Sequence, residues 1–337
     1  MRVAAAVLML TCACQAQFKS TVPLVVAPVT VTDSRGHYIN GLTTDDLILY
    51  DNNVPQKIQM DWMAYPISLV VAVQTSANSG PVIDKPGRTG ILFSQLLAAD
   101  AGETAMISFS DAVKVHQDFT ANSDSLTHSL RMLRMEGGNA HMLDAMREAL
   151  HMLEQRPPAR RRILLMIAER RDRSSDANLT EVTEQVQRLN ATVYWLTWSP
   201  FMQPFTVKSK TKEDLKPEAE RIKKTPCALC PQPDQTPVPF DHGPEGPLYA
   251  IGELIRLHQP DLADFFTRAT GARTVNFVKK NALEQTIQLV GEEVHKQYLL
   301  TFEPKGGEAG SYHAIRVAVK NRPELHAKTR EGYWVVQ

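Results

Sequence analysis

Hydrophobic and polar residues follow two different periods along the chain. Val29-Thr30-Val31-Thr32 alternates residue by residue and runs into the turn Asp33-Ser34-Arg35-Gly36, and a period of two marks a half-buried strand. Asn40-Gly41 and Asp51-Asn52-Asn53 supply two more turns between apolar stretches, so a small β segment opens the fold. Within it, Thr43-Thr44-Asp45-Asp46 predicts one short helical turn. From Pro66 the period changes. Apolar runs over 67–73, 105–109, 162–168 and 192–196 alternate with helical patterns over 88–99, 123–132, 142–155 and 179–189. Strands that are apolar throughout and separated by helices predict a mainly parallel sheet covered on both faces. A proline-rich stretch, 200–247, interrupts the pattern before it resumes with a helix over 262–270, Gly271 as its C-cap, a strand over 274–278 and a helix over 282–295. "QYLLTFEP", "YHAIRVAVK" and "HAKTREGYWV" close the chain with strand character.

The expected fold class is therefore α/β: a doubly wound, Rossmann-like sheet, with a small β unit built from the two chain ends. In the helix predicted over 142–155, Met142, Leu143, Met146, Ala149, Leu150 and Leu153 fall on one face. His141, Asp144, Glu148 and His151 fall on the other, a spacing that suits metal ligation but reads more simply as the wet side of an amphipathic helix. The run Arg160-Arg161-Arg162 predicts a solvated flank of the strand that follows.

Composition then narrows the functional classes. The chain has 337 residues, enough for two ordinary domains, and its 37 basic side chains balance 37 acidic ones. Zero formal charge argues against nucleic acid as the main partner, because neutralising phosphate needs a basic excess. Arg2, the apolar run 3–10 and the small-x-small triplet Cys14-Gln15-Ala16 predict an export segment over 1–16. That run is shorter than the about 20 residues a spanning helix needs, so no transmembrane span is expected in the mature chain. The expected location is periplasm, cell envelope or exterior, with lipidation at Cys12 or Cys14 as the alternative. Cys227 and Cys230 in "TPCALCPQP" lie in the proline-rich stretch and predict a local disulfide.

Three ordered blocks carry a resemblance. "VTVTDSRGHYINGLTTDDLILYDNNVPQKI", "PISLVVAVQTSANS" with "ILLMIAERRD", and "YLLTFEPKGGEAGSYHAIRVAVK" through "REGYW" together resemble the exported VWFA-related family described from Acidobacteria, which carries a von Willebrand factor type A domain. The resemblance covers about residues 21–337 apart from 200–247. It implies an N-terminal β segment over 21–62, the α/β domain over 66–295 and a C-terminal β segment over 296–337. It also implies a metal-ion-dependent adhesion site built from strand-end loops, with oxygen ligands around Mg²⁺.

Carried over by position, the first ligand Asp becomes Gln74, the first Ser is kept as Ser76 and the second becomes Asn78. The loop threonine falls at Ala140, or at Asn139 with a shift of one, and the second Asp becomes Glu169. Gln74 and Asn78 lack charge, Ala140 offers no oxygen, and the longer Glu169 displaces its carboxylate. Mg²⁺ demands ligands at about 2.0–2.1 Å in near-octahedral geometry, so no cofactor is expected. A rearranged site of Asp144, Glu169 and Asp172 around Ca²⁺ is the competing reading. Gly-x-Ser-x-Gly, P-loop, His-Glu-x-x-His and G-x-G-x-x-G motifs are absent from the sequence. The expectation is thus a non-enzymatic exported module that binds a protein or envelope partner through these loops, with a structural envelope component as the alternative.

Overall fold

The computed structural model describes residues 24–61, 65–76, 79, 102–172, 174–198, 261–277, 282–304, 308 and 310–335. The helix expected over 88–99, the export segment and the Cys227–Cys230 pair lie outside these residues.

The central sheet contains β5 (Ile67–Gln74), β6 (Glu103–Phe109), β7 (Val113–Thr120), β8 (Arg161–Ile167), β9 (Thr192–Trp198) and β10 (Thr274–Phe277), in the order β10-β9-β8-β5-β6-β7. Five strands run parallel and only β7 is antiparallel. Every residue of β5 is buried, as a central strand covered on both faces requires. On one face Val70, Ala72, Ile107, Leu164 and Trp195 pack under three helices: α2 (Met142–Glu154), α3 (Leu179–Arg188) and α4 (Leu262–Ala269). On the other, Leu69, Val71, Val73, Leu165 and Tyr194 pack under α1 (Ser123–Met132) and α5 (Ala282–Lys296). The doubly wound α/β fold expected from the apolar runs is present.

The edge strand β7 was not expected. Its residues are mostly half-exposed and polar, and its pairing with β6 slips register between Thr104 and Ile107. Neither apolar runs nor clean alternation therefore mark it in the sequence.

The two chain ends make a β-sandwich. One sheet, of order β13-β1-β11-β4, comprises β1 (Val25–Thr32), β4 (Gln59–Asp61), β11 (Tyr298–Phe302) and β13 (His326–Lys328). The other, β14-β12-β2-β3, comprises β2 (Leu47–Asp51), β3 (Val54–Pro55), β12 (Tyr312–Val319) and β14 (Gly332–Trp334). Val25, Ala27, Val29, Val31, Leu300 and Phe302 from the first sheet and Leu47, Leu49, Ile315, Val317 and Tyr333 from the second share one core. Asn52 and Asn53 both take left-handed φ values, 46° and 66°, which a tight β2–β3 hairpin needs. The stretch at 43–46 is a turn, not a helix start, with the Asp46 carboxylate accepting from the Thr43 N–H and hydroxyl.

Polar contacts join the sandwich to the α/β domain. Gln297, between α5 and β11, donates to Tyr194 Oη at 3.0 Å and accepts from Arg161 at 2.7 Å. Buried Glu293 pairs with Arg273 Nε at 2.6 Å, and the Arg273 guanidinium donates to Tyr38 Oη at 2.6 Å. Gly271 ends α4 with φ +78°, and a Cβ there would lie 2.6 Å from the backbone of Thr329 and Arg330. Its lack of a side chain thus serves both the helix stop and the close approach of the C-terminal segment.

The arginine run departs from its expected solvated role. Arg162 donates to the carbonyls of Leu153 (3.0 Å), Arg156 (2.9 Å) and Leu189 (3.3 Å), at the C-terminal ends of α2 and α3. Arg161 donates to the Val294 carbonyl near the end of α5 at 2.9 Å, and Arg160 to Ser68 Oγ and the Ile67 carbonyl. Helix ends leave carbonyls without partners and carry partial negative charge, so guanidinium forks placed beneath them are well used.

Candidate functional site

The loops at the C-terminal ends of β5, β6 and β8 come together at one edge of the central sheet. Gln74, the last residue of β5, is completely buried. Its Oε1 accepts the Glu169 N–H at 2.8 Å, and its Nε2 donates to Ser76 Oγ at 2.7 Å. A backbone N–H can only donate, so the amide oxygen is fixed toward Glu169 and the NH₂ toward Ser76. Gln74 therefore staples the end of β5 to the loop leaving β8. The chain continues tightly: the Thr75 N–H donates to the Phe109 carbonyl at 2.8 Å, and the Thr75 carbonyl accepts the Glu136 N–H at 2.7 Å. Ser76 is buried, and its carbonyl accepts from the N–H and hydroxyl of Ser79. Asn78 lies outside the described residues.

The glycine loop is organised by Asp111, which the sequence did not single out. Its carboxylate accepts the N–H groups of Gly138 and Asn139, each at 3.0 Å. These hydrogen bonds, the Asn139 one foremost, hold its carboxyl below the usual range. Gly137 has φ +69°, and a Cβ there would lie 2.3 Å from the Asp111 carboxylate, so only glycine allows the wrap. Asn139 is exposed at the rim, whereas Ala140 is buried in the core under α2. Ala140 is thus a packing residue and presents nothing to a ligand.

Two of the carboxylates weighed as ligands, Asp172 and Asp144, are committed to backbone N–H groups. α2 starts at Met142 with His141 before it and no side-chain cap of its own. Its first N–H groups are satisfied from 30 residues away. Asp172 Oδ1 accepts from Met142 N at 2.7 Å, and Ser175 Oγ accepts from Leu143 N at 3.0 Å. Asp172 Oδ1 in turn accepts from Ser175 Oγ at 2.6 Å. Asp144 reciprocates: its oxygens accept from Asp176 N at 2.9 Å and Ala177 N at 3.0 Å, with Arg147 at 2.8 Å. Its side chain is only 11% exposed, so the reading of Asp144 as part of a wet helix face is corrected: Asp176 and Ala177 cover it with their N–H groups. The missing cap residue before Met142 was the sequence signal for this arrangement, because an uncapped helix start needs acceptors from elsewhere.

Glu169 is half-buried at the staple, and its carbonyl accepts Trp195 Nε1 at 3.0 Å. Arg170 reaches sideways to Asp261 Oδ2 at 2.6 Å and Asn276 Oδ1 at 3.1 Å, while its carbonyl accepts the Leu262 N–H at 2.8 Å. It anchors the start of α4 to the edge.

These residues do not fit the magnesium of an adhesion site. The Gln74 oxygen is taken by a backbone N–H, its NH₂ is turned toward Ser76, and Ala140 is buried and apolar. Among the described residues no three His, Cys, Asp or Glu side chains gather around a common point. The edge is a hydrogen-bonded surface with Asn139 and Arg171 exposed at its rim.

Residues 88–170 match the family model of the von Willebrand factor type A domain. No curated relative matches the chain. Among solved structures, BatB from Bacteroides thetaiotaomicron is 12% identical, over 68% of this chain and 99% of that one, with a TM-score of 0.42. The VWA domain of SpRpn10 is 13% identical, over 44% and 85%, with a TM-score of 0.33. The vWF domain of the type V pili tip protein Mfa5 from Porphyromonas gingivalis is 14% identical, over 35% and 43%, with a TM-score of 0.29. The match over residues 88–170 and the mostly parallel, doubly wound sheet make the α/β part of this chain similar in sequence and fold to a von Willebrand factor type A domain.

Proposed function

We propose that the chain is an exported, non-enzymatic binding module that engages a protein or cell-envelope partner through the C-terminal edge of its central sheet, without a metal ion. The observation that carries this reading is the Gln74 amide, which links Ser76 and Glu169 where an adhesion site would place a charged ligand. Asp111, Asp144 and Asp172 support it further, because each pins a loop by accepting backbone N–H groups. A loop cluster held rigid by such bonds presents a preorganised surface, which lowers the ordering cost of binding. Type A domains are protein-binding modules, and the ordered blocks at both chain ends support the narrower exported VWFA-related assignment.

The test is affinity capture from the envelope fraction of the native cell, with the full chain as bait, in magnesium and in excess chelator. The reading expects one partner captured equally in both and lost with Asn139→Trp or Arg171→Glu. A partner retained only in magnesium, or retained by both variants, overturns it.

A further inference from the structure

Beside this edge lies an exposed patch that the fold does not use. α1 buries Leu126, Ser129 and Leu130 against the sheet, and Leu133 follows them inward. The last turn of α1 and the segment leaving it turn Arg131, Met132, Arg134 and Met135 outward. Met132 is 54% exposed and Met135 52%. Arg134 curls back to donate to the Arg131 and Leu133 carbonyls at 2.6 and 2.8 Å, which fixes its position over the helix end. Among the described residues neither Arg131 nor Arg134 is in an ion pair, whereas neighbouring Glu136 is paired with Lys114. The patch is continuous with the edge, because the Glu136 N–H donates to the Thr75 carbonyl.

We propose that Arg131, Met132, Arg134 and Met135 form a docking surface for an acidic peptide segment carrying apolar side chains, supplied by another protein. The inference rests on the reading of the chain as a partner-binding module and gives the partner its chemistry. Two guanidinium groups that have no ion-pair partner among the described residues ask for carboxylates, Arg134 through the nitrogens not used on the helix-end carbonyls, and two adjacent thioethers offer an adaptable apolar seat. A second copy of this chain fits poorly, since a two-fold contact would set these arginines against their own images. An anionic membrane is also disfavoured, because lipid recognition takes about 4–8 clustered basic residues.

A phage-displayed library of random peptides of about 12 residues, long enough for a groove-binding segment, is selected on the full chain. Enriched sequences are then synthesised with a fluorophore for anisotropy. Acidic peptides with at least one large apolar residue should emerge, and should weaken as salt rises from about 50 to about 300 mM. Arg131→Glu/Arg134→Glu should lose at least about tenfold in affinity, and Met132→Ser/Met135→Ser about tenfold. All four positions are exposed, and circular dichroism checks that the variants fold. Neutral or basic consensus peptides, an empty selection, or affinities unchanged in both double variants overturn the proposal. So does displacement of the peptides by phosphatidylglycerol vesicles. Peptides lost only with Asn139→Trp overturn this placement and leave the edge-binding reading standing.

Discussion

Replacing Gln74 by Met keeps nearly the same volume but removes both polar contacts. The Glu169 N–H (2.8 Å) and Ser76 Oγ (2.7 Å) then lose their partner in a position with no exposure to water. A buried donor or acceptor left unmade costs about 1–3 kcal/mol. Two groups lose a partner, which sets a range of about 2–6 kcal/mol, and Glu169 is half-buried, so the net loss falls near the lower end, about 2 kcal/mol. Gln74→Ala adds a cavity and should cost about 3–5 kcal/mol. At about 2–4 °C per kcal/mol, the Met variant melts a few degrees lower and the Ala variant clearly lower still. Thermal melts give the totals, and hydrogen exchange at the Glu169 amide localises the effect: that amide should lose its protection in both variants. A Met variant within about 0.5 kcal/mol of the parent, with Glu169 still protected, would refute the staple, because that is the noise expected of substitutions that break nothing.

Asp172→Ala removes the acceptor for the first N–H of α2 and should destabilise by about 2 kcal/mol, with Asp172→Asn intermediate; urea denaturation measures both. Gly271→Ala forces a left-handed φ and meets the Thr329–Arg330 backbone, so its melting midpoint should fall by the equivalent of at least about 2 kcal/mol. His116 donates to or accepts from Ser108 Oγ at 2.7 Å, and burial pulls its pKa below 6.5. With the folded value depressed, the unfolded chain binds more protons just below pH 6.5. Stability should therefore fall as pH drops from 6.5 toward the folded value, and His116→Asn should flatten that slope in chemical denaturation.

The α/β architecture was legible because its signal is local. Each apolar run of β5, β6, β8 and β9 is long enough to mark a strand, and the helix boundaries differ from the expected ones by about one residue. What escaped was set by distant partners. β7 is half-exposed and slips in register, so it shows neither period. The closing stretch "HAKTREGYWV" divides between two sheets, His326–Lys328 pairing with β1 and Gly332–Trp334 with β12, a choice no local pattern contains. At the edge, the sequence marked Gln74, Ser76, Asn139 and Glu169 as an altered site, and the structure brings Gln74, Ser76 and Glu169 together through hydrogen bonds. The role of each was hidden, since the partner of Gln74 is 95 residues away and that of Asp172 is 30. Arg162 was misread for the same reason: a charge run looks solvated until the helix ends beneath it are known.

We propose that hydrogen bonds organise this edge in place of an ion. Calorimetric titration of the chelator-treated full chain with Mg²⁺, Mn²⁺ and Ca²⁺ tests it most directly. No saturable heat is expected with any of the three, and the melting temperature should be unchanged in their presence. Saturable binding at micromolar affinity that disappears in Glu169→Ala would contradict it.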